Sequence, residues 1–225
     1  MTIEELIVYG NKYLHKDEVK LILSTILNIN PLELTLDLAR IIDLELVNKY
    51  KKVIEYVKDG KPIQYALSNA CFYGSDFYVN ENVLIPRFET EELVFYTINY
   101  LNKYFSNSNI LDLCAGSGCI GLTLKKECPN ISITLSDISE KALEVLSINK
   151  NNLNISGNVI LSDLFANIND KYDVIVSNPP YIAYTDEVDE IVLNNEPHLA
   201  LYADNNGLAI YERILKDCEK YLNNK

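Results

Sequence analysis

The chain has 225 residues, 48% of them hydrophobic, and its 20 Lys and Arg against 32 Asp and Glu give a formal charge of −12. That length can bury a sizeable core, as one large domain or one domain with a small companion. No apolar run nears the roughly 20 residues that cross a bilayer, and the N-terminal MTIEELIVYG carries acid rather than base, so a cytoplasmic protein with no membrane contact is expected. The first 75 residues hold 9 basic and 10 acidic side chains and the remainder 11 and 22, leaving no basic stripe for direct nucleic-acid binding.

Residues 1–70 read as a small helical bundle. After Asp17, a candidate N-cap, the residues Val19, Ile22, Leu23, Ile26 and Leu27 make one apolar stripe at helical spacing. A second stripe, Leu46, Tyr50, Val53, Ile54 and Val57, runs until Gly60 and Pro62 stop it. Residues 71–87 follow as a β-hairpin linker, CFYGSDFYVNENVLI, rich in aromatic and β-branched residues around Gly74 and the turn-like Asn80-Glu81-Asn82. Thr90 is then read as the cap of a helix whose first turn carries Glu91 and Glu92.

From residue 88 to 225 strands and helices alternate. Strands are expected at 109–113, 131–136, 158–161 and 173–177, with helices after Gly118, Ser139 and Asn206. Such alternation implies parallel pairing by right-handed crossovers, an α/β doubly wound sheet of Rossmann-like type with ligands at the carboxyl ends of its strands.

The strand ends carry the chemistry. The first reads LDLCAGSGCIG, in which Gly116, Gly118 and Gly121 satisfy G-x-G-x-x-G; alone this fits a nicotinamide dinucleotide site or a merely structural turn. Asp137 ends the second strand, where a carboxylate can accept both ribose hydroxyls of a nucleoside. Asp163 ends the third, facing an adenine amino group, with Leu164 and Phe165 as apolar walls. Asp112, four residues before Gly116, suits a cationic ligand better than a pyrophosphate and points to S-adenosylmethionine. The fourth strand, DVIVS, stops at Asn178-Pro179-Pro180-Tyr181. There the Asn178 side-chain oxygen and the Pro179 carbonyl can accept the two donors of a planar NH2 group, while Tyr181 packs on its plane. Cys71, Cys114, Cys119, Cys128 and Cys218 are odd in number and lack C-x-x-C spacing, so neither a disulfide framework nor a metal site is expected.

VLIPRFETEELV, LDLCAGSGCIGL, DVIVSNPPYI and NEPHLALYADNNGLAIYERI, together with PIQYAL, resemble in order and spacing the HemK-type glutamine methyltransferases of peptide chain release factors. The resemblance covers nearly the whole chain. It implies a class I methyltransferase fold that uses S-adenosylmethionine, releases S-adenosylhomocysteine, and methylates the glutamine of a Gly-Gly-Gln loop in translation termination. Carried over by position, it implies that the loop Cys114, Ala115, Gly116, Ser117 and Gly118 holds the methionine part of the cofactor and that Asp137 takes the ribose. Leu164 would line the adenine site, and Asn178, Pro179, Pro180 and Tyr181 would bind the glutamine, with Asn178 touching both cofactor and substrate. The helical bundle would dock the release factor.

Phe88, Ser68 and Tyr202-Ala203-Asp204 depart from the family pattern, in which a proline, a glycine and a Phe-Gly-Gly-like turn are usual. The family's sheet has seven strands, so the chain reads as truncated, and the bare edge beside the fourth strand predicts self-association. Arg87 is expected to pair with Glu89, Glu196-Pro197 to form a turn near the site, and neither His15 nor His198 to serve as a base. Two alternatives stay open: an adenine-N6 methyltransferase of nucleic acid, and a truncated binder of cofactor or release factor without catalysis.

Overall fold

A computed structural model describes residues 1–105 and 107–223. The chain divides into two compact units, residues 1–69 and 70 onward.

The first unit is helical: α1 (Ile3–Gly10), α2 (Lys16–Leu27), α3 (Glu33–Leu36), α4 (Leu44–Lys58) and α5 (Ile63–Leu67). Val19, Ile22, Leu23 and Ile26 of α2 are buried with Val47, Tyr50, Val53 and Ile54 of α4, as the stripes require. Fully burying a side chain of this size contributes roughly 1.5–3 kcal/mol. The cap of α2 is His15, not Asp17: His15 and Glu18 form a capping box, and Asp17 lies in the first turn, where its charge favours the positive helix end.

The second unit begins with a hairpin, β1 (Ala70–Phe72) and β2 (Ser75–Phe77), joined through Tyr73 and Gly74, both at positive φ. That conformation at both central residues matches the twist of a tight hairpin. The turn-like Asn80 sits beyond the hairpin and folds its own loop, its side chain accepting from the Asn82 N–H at 3.0 Å. Helix α6 (Phe88–Tyr104) starts three residues earlier than expected, so Thr90 stands inside its first turn rather than capping it. The reason is that Arg87, extended after Pro86, takes the N-cap position.

The remaining elements are β3 (Asn109–Leu113), α7 (Cys119–Glu127), β4 (Ser132–Asp137), α8 (Glu140–Asn152), β5 (Asn158–Leu161), β6 (Val174–Ser177), α9 (Glu190–Asn195) and α10 (Ala209–Asp217). The four strands β3 to β6 form one parallel sheet in the order β5-β4-β3-β6, the doubly wound arrangement expected. Side chains alternate across it. Ile110, Ile133, Leu135 and Val176 join Leu122, Leu124 and Leu146 on one face, while Leu111 and Leu113 join Phe165, Tyr172 and Ile214 on the other. Strand order reverses at β3, which places a crevice outside the carboxyl ends of β3 and β6. Beyond β6, single bridges join Tyr172 to Leu222 and Ile182 to Tyr202. Among the described residues no further strand lies along β6 between them, and no helix is long and apolar enough to cross a membrane.

Candidate functional site

A cavity of about 250 Å³ opens at that crevice. Its floor is the loop after β3, where the backbone turns left-handed at Cys114, Gly116 and Gly118. This loop is pinned from both sides. The Ala115 N–H donates to Ser136 O at 2.9 Å, the Gly116 N–H to Asp137 Oδ2 at 2.8 Å, and the Gly118 N–H to Ala115 O at 2.7 Å. Nothing lies within 4 Å of where a Gly116 side chain would start, so the cradle is open at that point.

Cys114, Ala115, Gly116 and Ser117 line the cavity, and Gly118 does not, being closed off by Leu122 and Leu146. Asp112 does not line it either. Strand alternation points its side chain away from the crevice and under α7, where it is fully buried and Oδ2 accepts from the Gly121 N–H at 2.8 Å. Helix α7 has no side-chain cap of its own, so Asp112 satisfies one of its free N–H groups. Gly121 is required for this approach, since a Cβ there would stand 2.8 Å from Asp112 Oδ2. Its glycine therefore serves helix-to-strand packing rather than a ligand.

Asp137 and Asp163, at the ends of β4 and just past β5, both line the cavity. The Asp137 carboxylate accepts from Gly116 and, at 2.9 Å, from the Ser139 N–H, which fixes its plane and leaves lone pairs for a further donor. Burial pushes its pKa up, opposed by those backbone donors. Asp163 accepts from Arg213 of α10 at 2.8 Å, with both side chains about half exposed at the rim. Leu164, held at positive φ, and the adjacent Ile138 add apolar wall. The Leu164 loop is fastened by the Ser162 hydroxyl, which donates to Leu164 O at 2.7 Å and accepts from the Asn167 N–H at 3.0 Å.

On the β6 side the cavity reaches Asn178 and Pro180. Neither Pro179 nor Tyr181 lines it, and Tyr181 turns out to solvent, 57% exposed. The Asn178 Nδ2 donates to the Thr90 hydroxyl at 3.3 Å. Pro86, Arg87 and Thr90 close this end together with Pro197 and Leu199. Glu196, 4% exposed, ties those two segments together: its Oε2 accepts from the Ile85 N–H at 3.0 Å and its Oε1 from Arg87 at 2.5 Å. Arg87 thus pairs with Glu196 and not with Glu89, because the buried carboxylate faces it from the facing loop. The His198 ring contacts Leu193 O and the edge of Tyr202, and His198 does not line the cavity.

The sequence reading missed Arg213, Thr90 as a partner of Asn178, and Ile138. Only Ile138 carried a local signal, an apolar residue directly after the carboxylate of SDIS. Burial raises the two cavity-lining cysteines, Cys114 and Cys119, to about 12, with nearby Asp137 adding to the first and Asp112 to the second, which argues against a thiolate nucleophile at this site.

Residues 96–200 match the family model described as Methyltransferase small domain. Similar curated proteins include the release factor glutamine methyltransferase of Streptococcus pneumoniae, 49% identical over 164 residues that are 72% of this chain and 58% of the relative. The release factor glutamine methyltransferase of Leptospira interrogans is 39% identical over 221 residues, 91% of this chain and 77% of the relative. Among solved structures, a methyltransferase from Pyrococcus furiosus superposes with a TM-score of 0.48 at 17% identity, over 77% of this chain and 73% of that one. The chain accordingly spans 58% of the first curated relative and 77% of the second.

Proposed function

This chain belongs to the release factor glutamine methyltransferase family, and from that premise we propose that it methylates the side-chain amide nitrogen of the glutamine in the Gly-Gly-Gln loop of a peptide chain release factor, with S-adenosylmethionine as donor. The observation that carries the reading is the convergence on one cavity of a left-handed glycine cradle, a carboxylate fixed for further hydrogen bonding, and a carboxamide at the opposite wall.

The residues fit such a donor. The open cradle at Gly116 admits an amino-acid moiety against the backbone, Asp137 retains lone pairs for ribose hydroxyls, and Leu164 with Ile138 offers apolar faces to a base. When bound, the donor supplies an electrophilic methyl group on a sulfonium.

The chain's own residues then have a poor nucleophile to prepare, since an amide lone pair is delocalised. Asn178 Oδ1 accepts one N–H of the glutamine amide; the other is assigned to the Pro179 carbonyl, which stands outside the cavity lining but between the lining residues Asn178 and Pro180, so both donors are spoken for and the nitrogen lone pair is aimed across the cavity. Pro179 and Pro180 stiffen the backbone that carries these acceptors. Positioning and preorganised polarity supply the catalysis, and no strong base is needed: the nitrogen gives one proton to water as it gains the methyl group. The helical unit of residues 1–69 is the natural contact for the rest of the release factor, because a single amide in a pocket carries little protein-level specificity.

Asn178→Ala tests the assignment. Turnover on release factor falls by about 100-fold or more, as expected for loss of a positioning contact, while cofactor affinity measured by titration stays within about threefold. Loss of cofactor affinity in parallel with turnover contradicts the role given to Asn178.

A further inference from the structure

A carboxamide has two ends of nearly equal shape and opposite hydrogen-bonding character. Which end of Asn178 faces the cavity decides whether that wall welcomes an N–H or a carbonyl oxygen. Its Nδ2 is turned onto the Thr90 hydroxyl at 3.3 Å, 88 residues away in sequence, and Oδ1 is the end left for a ligand. Thr90 is 9% exposed, stands in the first turn of α6, and lines the same cavity as Asn178. The segment that carries it is itself held, through the Ile85 N–H and Arg87 on the buried Glu196. A hydroxyl on the rigid start of a helix is thus aimed at the one side chain whose rotation matters.

We propose that Thr90 is the positioning residue of this site: by holding Nδ2 it keeps Asn178 Oδ1 toward the acceptor, and so selects a group that presents NH2. The inference rests on the reading that Asn178 receives the acceptor amide. Without the hydroxyl the carboxamide is free to rotate about its last bond, a torsion with a broad two-fold profile, and spends part of its time presenting a donor to a donor. The substrate nitrogen then loses alignment while the cofactor cradle, built on β3 and β4, is untouched.

The test compares Thr90→Val, Thr90→Ser and Asn178→Ala with the parent chain, measuring kcat and KM on release factor and separately the affinity for S-adenosylmethionine. Valine keeps the shape and removes the acceptor. T90V is expected to lower kcat by about 10- to 100-fold, the size of effect a misplaced reacting group produces, with cofactor affinity within about twofold of the parent. T90S, which restores the hydroxyl, is expected to recover kcat to within about threefold, a rescue that a packing role would not give since serine lacks the methyl group. Parent-like kcat in T90V beside an inactive N178A overturns the positioning role and leaves the function standing. Parent-like turnover in N178A overturns both. Should T90V lose cofactor binding through misfolding, Thr90→Ala removes the same hydroxyl from a smaller side chain, and its kcat set against that of T90S decides in the same way.

Discussion

Asp112 is fully buried, with one carboxylate oxygen accepting from the Gly121 N–H and the other, Oδ1, without a hydrogen-bond partner among the described residues. Burial first, then the charge of Asp137, raises its pKa from 3.8 to about 7, against the lowering effect of the Gly121 bond. Between those two values the native state keeps a proton that the unfolded chain has released, so this group makes stability fall as pH rises from about 4 to about 7. Below that window both states are protonated and the group contributes nothing; above it the full cost of a buried charge is present, on the order of a few kcal/mol. Asp112→Asn keeps an oxygen for Gly121 and cannot ionise. Urea unfolding between pH 4.5 and 8 is therefore expected to show the parent losing stability relative to D112N as pH rises, and parallel curves contradict the buried charge. From sequence, Asp112 reads as a ligand-facing acid because it sits at a strand end beside a glycine loop. Which face of the strand it occupies depends on which residue of β3 the sheet buries against α7, and one residue of register decides that.

At the scale of elements, β3 and β5 fall at the bounds their apolar runs suggest, and β4 and β6 within one residue of them. Caps were harder to read, as His15 and Arg87 show, because several polar residues in a row satisfy the same cap pattern and the geometry of the entering loop chooses among them. The joining of Ile85 and Arg87 to Glu196 spans more than 100 residues and leaves no periodic trace. It is nonetheless the clamp that fixes one end of the cavity. With Glu196 almost fully enclosed and Arg87 about one-third open, Arg87→Ala leaves a buried carboxylate with a single backbone donor. Removing one partner of a buried pair typically costs about 3–5 kcal/mol, and partial exposure of the arginine brings the expectation here to about 2–3 kcal/mol of unfolding free energy. Glu196→Gln keeps an acceptor for the Ile85 N–H and is expected to cost about 1 kcal/mol. Chemical denaturation of both variants checks the order, and an R87A loss below that of E196Q contradicts the clamp.

For the whole molecule, alternation of strand and helix after residue 108 was enough to specify a parallel sheet and a site at its carboxyl edge, since crossover handedness leaves few other arrangements. The glycine loop, Asp137, Asp163, Leu164 and Asn178 meet at one cavity for that reason, their positions all being strand ends. Arg213 and Thr90 come from helices whose faces toward the crevice depend on tertiary packing, so although both lie within the stretches VLIPRFETEELV and NEPHLALYADNNGLAIYERI, nothing local marks them as lining the site. The surplus of acid, 22 acidic against 11 basic residues beyond position 75, opposes a phosphate backbone as substrate and favours a protein loop. The most direct measurement is transfer of labelled methyl from S-adenosylmethionine in a mixture of release factor and adenine-containing nucleic acid, followed by mass spectrometry of the products. Label on the glutamine of the Gly-Gly-Gln loop, absent with N178A, is the expected result; label on adenine, with the release factor unmodified, would contradict it.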